Sequence, residues 1–150
     1  MADLRELYQQ TILDHNRSPR NYRKLDHPTK TSEGLNPLCG DHITVYLQLE
    51  NGVIRDIGFQ GTGCAISKAS ASIMSSLLKG KTAAEAEALF HKFHALVTEE
   101  SSVPEDLDSL GKMAVFAGVR EFPARVKCAS LAWHTMHTAL HEDDKKVTTE

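Results

Sequence analysis

The chain has 150 residues, of which 41% are hydrophobic and 25% charged. This balance predicts a single globular domain over residues 1–150 and excludes a collagen, a disordered tail and a disulfide-stapled miniprotein. The formal net charge of −3 and the lack of a local basic patch argue against a nucleic-acid partner. No stretch approaches the roughly 18 apolar residues that span a bilayer, so no membrane role is expected. The mixed, acidic N-terminus predicts a cytoplasmic protein.

The first part of the chain predicts one helix followed by a β-hairpin. Apolar residues recur at helical spacing in a segment that begins near Leu4 and ends before Pro19. Residues 43–49 alternate between apolar and polar types, which is typical of a half-buried strand. Asn51-Gly52 then favours a tight two-residue turn, so residues 53–59 are expected to return as the second strand.

A third strand is expected over residues 31–38, where Pro37 would limit it to an edge of the sheet. The remaining chain switches to the helical period. Gly80 is expected to end the first of these helices, and Thr82 with Glu85 fits a capping box that begins the next. A weaker helix is expected over residues 107–118.

A last helix is expected after Pro123, and the tail from Glu142 is expected to fray. Strands followed by helices predict an α+β fold, a small three-stranded antiparallel sheet with helices packed on one face. A parallel α/β sheet would need strands and helices that alternate along the chain, and this alternation is missing.

Three cysteines lie at the ends of predicted elements. Cys39 precedes the first hairpin strand, Cys64 follows the second strand at the start of a helix, and Cys128 lies near the start of the last helix. Thiols in a reducing compartment rarely form structural disulfides, and their number is odd. The cysteines therefore point to metal binding or thiol chemistry.

The neighbours of the cysteines suit such chemistry. Asp41 follows Cys39 across a glycine, and the cations Arg125 and Lys127 lie beside Cys128. Three thiolates and the Asp41 carboxylate would form a four-coordinate set that suits zinc. The alternative is that the cysteines are small buried residues without a shared role. Spacing alone does not decide between them, because no C-x-x-C pair is present.

The eight histidines include two groups at helical spacing: His134, His137 and His141, and His91 with His94. These groups could ligate a metal. A solvated polar face is the more common role, since ligands from one helix rarely complete a tetrahedral site. His42 is the histidine expected nearest the cysteines, and an ordinary position on a strand face is predicted for it.

Three motifs around the cysteines resemble those of the U-type iron–sulfur cluster assembly proteins, the IscU/NifU N-terminal family, and most closely its SufU branch. They are N-P-x-C-G-D, G-x-G-C-A-I-S-x-A-S-A-S and F-P-A-R-x-K-C-A-x-L-x-W. The segment that contains Asp14-His15 and Ser18-Pro19-Arg20-Asn21 fits the same branch. The resemblance extends from about Leu4 to Trp133 and implies an α+β fold with a three-stranded antiparallel sheet.

The resemblance also implies a mechanism. The zinc ligands would be Cys39, Asp41, Cys64 and Cys128, and Cys39 would accept persulfide sulfur from a SufS-type cysteine desulfurase. In such proteins a histidine from the partner opens the zinc site and frees this cysteine, and Arg125 matches the arginine that supports the exchange. Cys39 and Arg125 would thus be the catalytic residues of a zinc-dependent sulfurtransferase. Downstream iron–sulfur assembly proteins would receive the sulfur.

The alternative within the family is a non-enzymatic scaffold that assembles and transfers a [2Fe–2S] cluster, or binds iron, on the same cysteines. The IscU-like branch has a histidine where this chain has Lys127, and a Leu-Pro-Pro-Val-Lys peptide where residues 121–125 read Glu-Phe-Pro-Ala-Arg. The stretch between the second and third cysteines is also longer, a SufU feature. These departures favour sulfur relay. A purely structural zinc module is disfavoured, since a core of this size folds without a metal.

Overall fold

The structure, a computed structural model, describes residues 4–37, 40–98, 115–116, 123–141 and 146–148. The helices and strands follow in chain order: α1 (Leu4–Arg17), β1 (Lys30–Asn36), β2 (Asp41–Glu50), β3 (Val53–Thr62), α2 (Ala65–Leu78), α3 (Ala83–Thr98), α4 (Pro123–His141) and β4 (Lys146–Thr148). Of the helix predicted over residues 107–118, only Val115 and Phe116 are described, and both are buried in the core. The rest of that prediction lies outside the described residues.

The sheet confirms the predicted antiparallel arrangement and adds one short strand. Its order is β3-β2-β1-β4, with β2 antiparallel to both β1 and β3. β4 runs parallel to β1 alongside Glu33–Leu35. Two expectations are therefore wrong: residues 146–148 pair instead of fraying, and β1 is not an edge strand at that point. Pro37 follows the last residue of β1, so it does not interrupt the hydrogen bonds to either neighbour.

The local turn and capping signals of the sequence are confirmed. Asn51 and Gly52 both have positive φ, 54° and 78°, as a tight hairpin turn requires. Gly80 follows the C-cap of α2 with φ of 86°. At the start of α3 the amide of Thr82 donates to the Glu85 carboxylate at 3.0 Å, and the Glu85 amide donates to the Thr82 hydroxyl at 3.1 Å.

The helices pack against the sheet and against one another. α4 packs against β1 and β2, and α2 packs against β3 and α4. α1 packs onto α2, and α3 packs onto α4. Phe93 of α3 stacks on Trp133 of α4 with ring centroids 4.6 Å apart, and both side chains are fully buried. None of the described helices combines the length and hydropathy needed to cross a membrane.

Gly34 of β1 lets α4 approach the sheet closely. A Cβ at this position would lie 2.0 Å from Thr135 Oγ1 and 3.0 Å from Leu131 Cδ1, both on α4. Because real Cβ atoms do not approach so closely, only glycine permits this contact. The close approach brings the N-terminal part of α4, with Cys128, toward the end of β1.

Small polar residues of α2 attach the end of α1 and the following loop. Ser72 Oγ lies 2.7 Å from Nδ1 of the buried His15 and accepts the Arg20 amide at 2.8 Å. Asn21 Nδ2 donates to Ser75 Oγ at 3.0 Å. The N-terminal motif thus has a structural role, since its buried polar groups are paired through the serines of α2.

Candidate metal centre

Three elements bring their ends together at one point. Asp41 is the first residue of β2, Cys64 is the N-cap of α2, and Cys128 lies in the second turn of α4. Their ligand atoms all lie within 4.8 Å of one another. Asp41 and Cys128 are buried, with 1% and 3% of their surface exposed, while Cys64 is partly exposed. Solvent therefore reaches this cluster from the Cys64 side.

The Asp41 carboxylate is held by two protein donors. Oδ1 accepts the amide of Cys64 at 2.9 Å, and Oδ2 accepts Asn36 Nδ2 at 3.0 Å. Asn36 and Asp41 face each other across the β1–β2 pair. Each carboxylate oxygen has a second acceptor site, so the group is oriented and can still bind a cation.

Two glycines give Asp41 its position. Gly40 has a φ of 72°, a left-handed conformation that glycine adopts without strain and that turns the chain into β2. At Gly63, a Cβ would lie 2.6 Å from Asp41 Oδ1. The space next to the Asp41 carboxylate is therefore available because residue 63 is a glycine, which has no Cβ. Cys39 itself lies outside the described residues.

Cys64 occupies the helix N-terminus predicted from the sequence. Its Sγ accepts the Ser67 amide at 3.4 Å, as an N-cap side chain does. The partial positive charge at a helix N-terminus attracts an anionic sulfur. Neither Cys64 nor Cys128 takes part in a disulfide, so both sulfurs are available as ligands.

Cys128 is held by contacts on both sides. Asn36 Nδ2 lies 3.5 Å from its Sγ as a donor. The next residue, Ala129, accepts a hydrogen bond from Ser70 Oγ at 2.5 Å through its backbone carbonyl. This bond ties the backbone of α4 to α2 next to Cys128.

Asn36 is the site residue that the sequence analysis missed. Its amide nitrogen contacts both Asp41 and Cys128, while its buried Oδ1 has no hydrogen-bond partner among the residues that the structure describes. Asn36 is the first residue of the N-P-x-C-G-D motif, so the sequence did contain a signal that could have identified it. Sequence analysis placed it within the strand expected over residues 31–38 and assigned it no role at the site.

The donor set fits zinc. Two thiols and a carboxylate within 4.8 Å of one another are the donor types that zinc takes in proteins. Asn36 adds the kind of outer contact that orients metal ligands. A tetrahedral site needs one more donor, and Cys39 is the predicted candidate.

The other predicted residues lie on β2, α3 and α4. Arg125 is exposed on the first turn of α4, one turn before Cys128, and Lys127 is half-buried beside it. His42 is exposed and contacts Glu33 across the β1–β2 pair, which is the strand-face position predicted for it. The helical histidines lie elsewhere, between α3 and α4.

Comparisons with known proteins agree with this architecture. The family model of the NifU-like N-terminal domain matches residues 7–146. The chain is 40% identical over 136 residues to the iron–sulfur cluster assembly scaffold protein IscU of Thermotoga maritima, a match that covers 89% of this chain and 92% of that protein. It is 35% identical over 143 residues to the zinc-dependent sulfurtransferase SufU of Bacillus subtilis, with 95% of each covered.

A solved structure shows the same fold. The N-terminal NifU-like protein of Brucella abortus matches with a TM-score of 0.81 and 26% identity, covering 92% of this chain and 94% of that one. The chain therefore belongs to the NifU-like N-terminal domain family, whose relatives include proteins named IscU and SufU. The family predicted from the three cysteine motifs is confirmed.

Proposed function

We propose that the chain is an iron–sulfur cluster assembly protein that works as a zinc-dependent sulfurtransferase. Cys39 accepts persulfide sulfur from a SufS-type cysteine desulfurase and passes it to downstream assembly proteins. The relative named as a zinc-dependent sulfurtransferase, which aligns over 95% of both chains, supports this assignment. Lys127, at the position where the IscU-like branch has histidine, supports it further.

The observation that carries the proposal is the compactness of the donor cluster. Around one tetrahedral zinc ion, with Zn–S bonds of about 2.3 Å, sulfur ligands stand about 3.8 Å apart. The donors of Asp41, Cys64 and Cys128 all lie within 4.8 Å of one another. A two-iron cluster divides four protein ligands between two metal atoms, which spreads them further. The observed spacing of the Asp41, Cys64 and Cys128 donors therefore suits one metal ion better than a two-iron cluster.

Cys39, Asp41, Cys64 and Cys128 would hold the zinc. When bound, zinc keeps its cysteine ligands as thiolates at neutral pH and shields them from oxidation. Asn36 orients the Asp41 carboxylate and contacts Cys128, which fixes two of the four donors. Three thiolates and a carboxylate outweigh the charge of one divalent ion, and the cations Arg125 and Lys127, close to Cys128 in sequence, would partly offset the excess.

Sulfur transfer is a thiol exchange. The Cys39 thiolate attacks the outer sulfur of the persulfide on the desulfurase. The sulfur–sulfur bond of the partner's persulfide breaks as a new one forms on Cys39, and the partner's cysteine leaves as a thiolate. No net oxidation occurs, so the step needs no external oxidant. The resemblance assigns Arg125 to support this exchange.

The second candidate is a scaffold that assembles and transfers a [2Fe–2S] cluster. The 40% identity to a relative named as an IscU scaffold favours it. In this case the cluster is cargo that the cysteines hold and release. The two candidates share residues and differ in what Cys39 carries.

Replacing Cys39 by Ala distinguishes the candidates. For a sulfur relay, Cys39→Ala abolishes the stimulation of desulfurase turnover, while the wild type purified without oxygen contains zinc but no iron or acid-labile sulfide. His42→Ala is the matched control, because His42 is nearby and exposed but contacts Glu33. Desulfurase stimulation that survives in Cys39→Ala overturns the proposal. Stoichiometric iron with sulfide in the wild type identifies the scaffold instead.

A further inference from the structure

A second group of metal-ligating side chains lies between α3 and α4, away from the cysteines. Glu87 of α3 and His137 and His141 of α4 have their ligand atoms within 4.8 Å of one another. His137 Nε2 lies 3.0 Å from Glu87 Oε1, and His141 Nε2 lies 2.7 Å from Oε2. The two imidazoles therefore point at the same carboxylate from one helix.

We propose that Glu87, His137 and His141 form a second binding site, which takes a divalent first-row transition metal such as zinc or cobalt. Two imidazoles and one carboxylate are a donor set found in protein metal sites. Metal–nitrogen and metal–oxygen bonds of about 2.0–2.2 Å place neighbouring ligands about 3.3 Å apart in a tetrahedral site. The observed 3.0 and 2.7 Å contacts are already close to that spacing.

His91 lies next to these three residues but outside the group whose ligand atoms are all within 4.8 Å of one another. Its Nε2 lies 3.5 Å from Glu87 Oε1, one turn further along α3. Each helix thus has two of these residues four positions apart, which lie on the same face of a helix. Sequence analysis expected a solvated face because ligands from one helix rarely complete a site. The packing of α3 on α4 supplies the Glu87 donor from a second helix.

The site is oriented in advance and open to solvent. Phe90 stacks on His137 with centroids 4.2 Å apart and an interplanar angle of 15°, and Phe90 itself is buried. The side chains of His141 and Glu87 are 52% and 35% exposed, so an ion can enter without unfolding.

Cobalt separates this site from the cysteine cluster. Co²⁺ bound by thiolates has an intense sulfur-to-metal charge-transfer band, whereas Co²⁺ bound by nitrogen and oxygen shows only weak d–d bands. Titration of the metal-free full chain is expected to reveal two classes of bound Co²⁺, one with and one without the charge-transfer band. Equilibrium dialysis with Zn²⁺ is expected to give two bound ions per chain.

The double variant His137→Gln/His141→Gln is expected to lose the class without charge transfer and to keep the thiolate band. Glu87→Gln replaces the carboxylate by an amide that can still contact the imidazoles, so it tests separately whether the metal needs the charged oxygen donor. His27→Gln, an exposed histidine outside the helices, is the control and is expected to keep both classes. A wild type with only the thiolate class overturns the proposal, as does a double variant that retains both. The thiolate band reports independently on the cysteine cluster, so failure of either site is recognised separately.

Discussion

The backbone amide of Cys64 donates a hydrogen bond to the carboxylate of Asp41 at 2.9 Å. This bond joins the start of β2 to the start of α2, so the spacing between a carboxylate and a thiol is set by secondary structure. Gly63 makes the contact possible because a side chain there would collide with the same carboxylate oxygen. The proposed zinc centre is therefore organised before any metal binds.

Asn36 is expected to control metal affinity without being a ligand. Asn36→Ala removes the donor that contacts both Asp41 and Cys128, and loss of such outer contacts weakens metal binding about 10- to 100-fold. Competition with a chelator of known zinc affinity measures the change. Ser32→Ala, at another buried polar position on β1, is the control. Equal zinc affinity in the two variants would show that Asn36 serves only the fold.

Gly34→Ala is expected to destabilise the protein by about 1–3 kcal/mol, as overpacking of a close contact does. The new Cβ would lie 2.0 Å from Thr135 Oγ1. In Gly34→Ala/Thr135→Ala the contact with Oγ1 is removed, and the remaining neighbours are Leu131 Cδ1 at 3.0 Å and the Cβ of residue 135 at 3.3 Å. Urea unfolding of the four proteins of the cycle is expected to show a smaller cost of Gly34→Ala in the Thr135→Ala background. Strictly additive effects would contradict the contact.

Ser72→Ala is expected to lower the free energy of unfolding by about 1–3 kcal/mol, the cost of leaving buried polar groups without a partner. Its hydroxyl accepts the Arg20 amide and contacts His15. Ser76→Ala is the matched control on the same helix, because the Ser76 hydroxyl donates to the Ser72 carbonyl at 3.1 Å, a local contact within α2. Thermal unfolding at neutral pH compares the two. A control as unstable as Ser72→Ala would point to a general effect on α2.

The ion pair of Asp56 and Arg23 predicts a pH dependence. Hydrogen bonding by Arg23, at 2.6 Å, lowers the pKa of Asp56 below its ordinary 3.8. A lowered pKa contributes stability that is complete above the unfolded value and is lost as the pH falls through the folded value. Asp56→Asn is therefore expected to flatten the decrease in stability below pH 3.8.

The partner variant tests the cause of that dependence. Arg23→Gln removes the main donor to the carboxylate, so it is expected to flatten the same decrease. The double variant Arg23→Gln/Asp56→Asn is expected to change the slope no further than Asp56→Asn alone. Urea unfolding at several pH values on both sides of the window measures these slopes. A slope unchanged by Arg23→Gln would assign the effect to other contacts of Asp56.

Local signals predicted the fold well where a few neighbouring residues determine the conformation. Asn51-Gly52, the Thr82–Glu85 capping box and the glycine at 80 all lie where the sequence indicated. β4 was missed because three residues of a polar tail carry no alternation, and its pairing with β1 depends on contacts remote in sequence. Such pairing follows from the tertiary arrangement and not from local preference.

At the candidate site, too, the local features were predicted from the sequence and the tertiary contacts were not. Cys64 and Cys128 were predicted at helix starts from local pattern, and their donor types together with Asp41 suggested a shared zinc set. Spacing alone left that set undecided, and the family motifs favoured it. Asn36 was not predicted, because its role requires the ends of β1, β2 and α4 to meet. The contact of Glu87 with His137 and His141 depends on how α3 is rotated against α4, which periodicity within one helix does not specify.

The most direct test of the proposed sulfur relay determines which cysteine carries the transferred sulfur atom. The protein, loaded with zinc, is incubated without oxygen with a cysteine desulfurase and cysteine for less than one turnover, and peptide mass spectrometry locates the transferred sulfur. One additional sulfur atom is expected on Cys39, none on Cys64 or Cys128, and no transfer to Cys39→Ala. Sulfur on another cysteine, or transfer that persists in Cys39→Ala, would contradict the proposed relay.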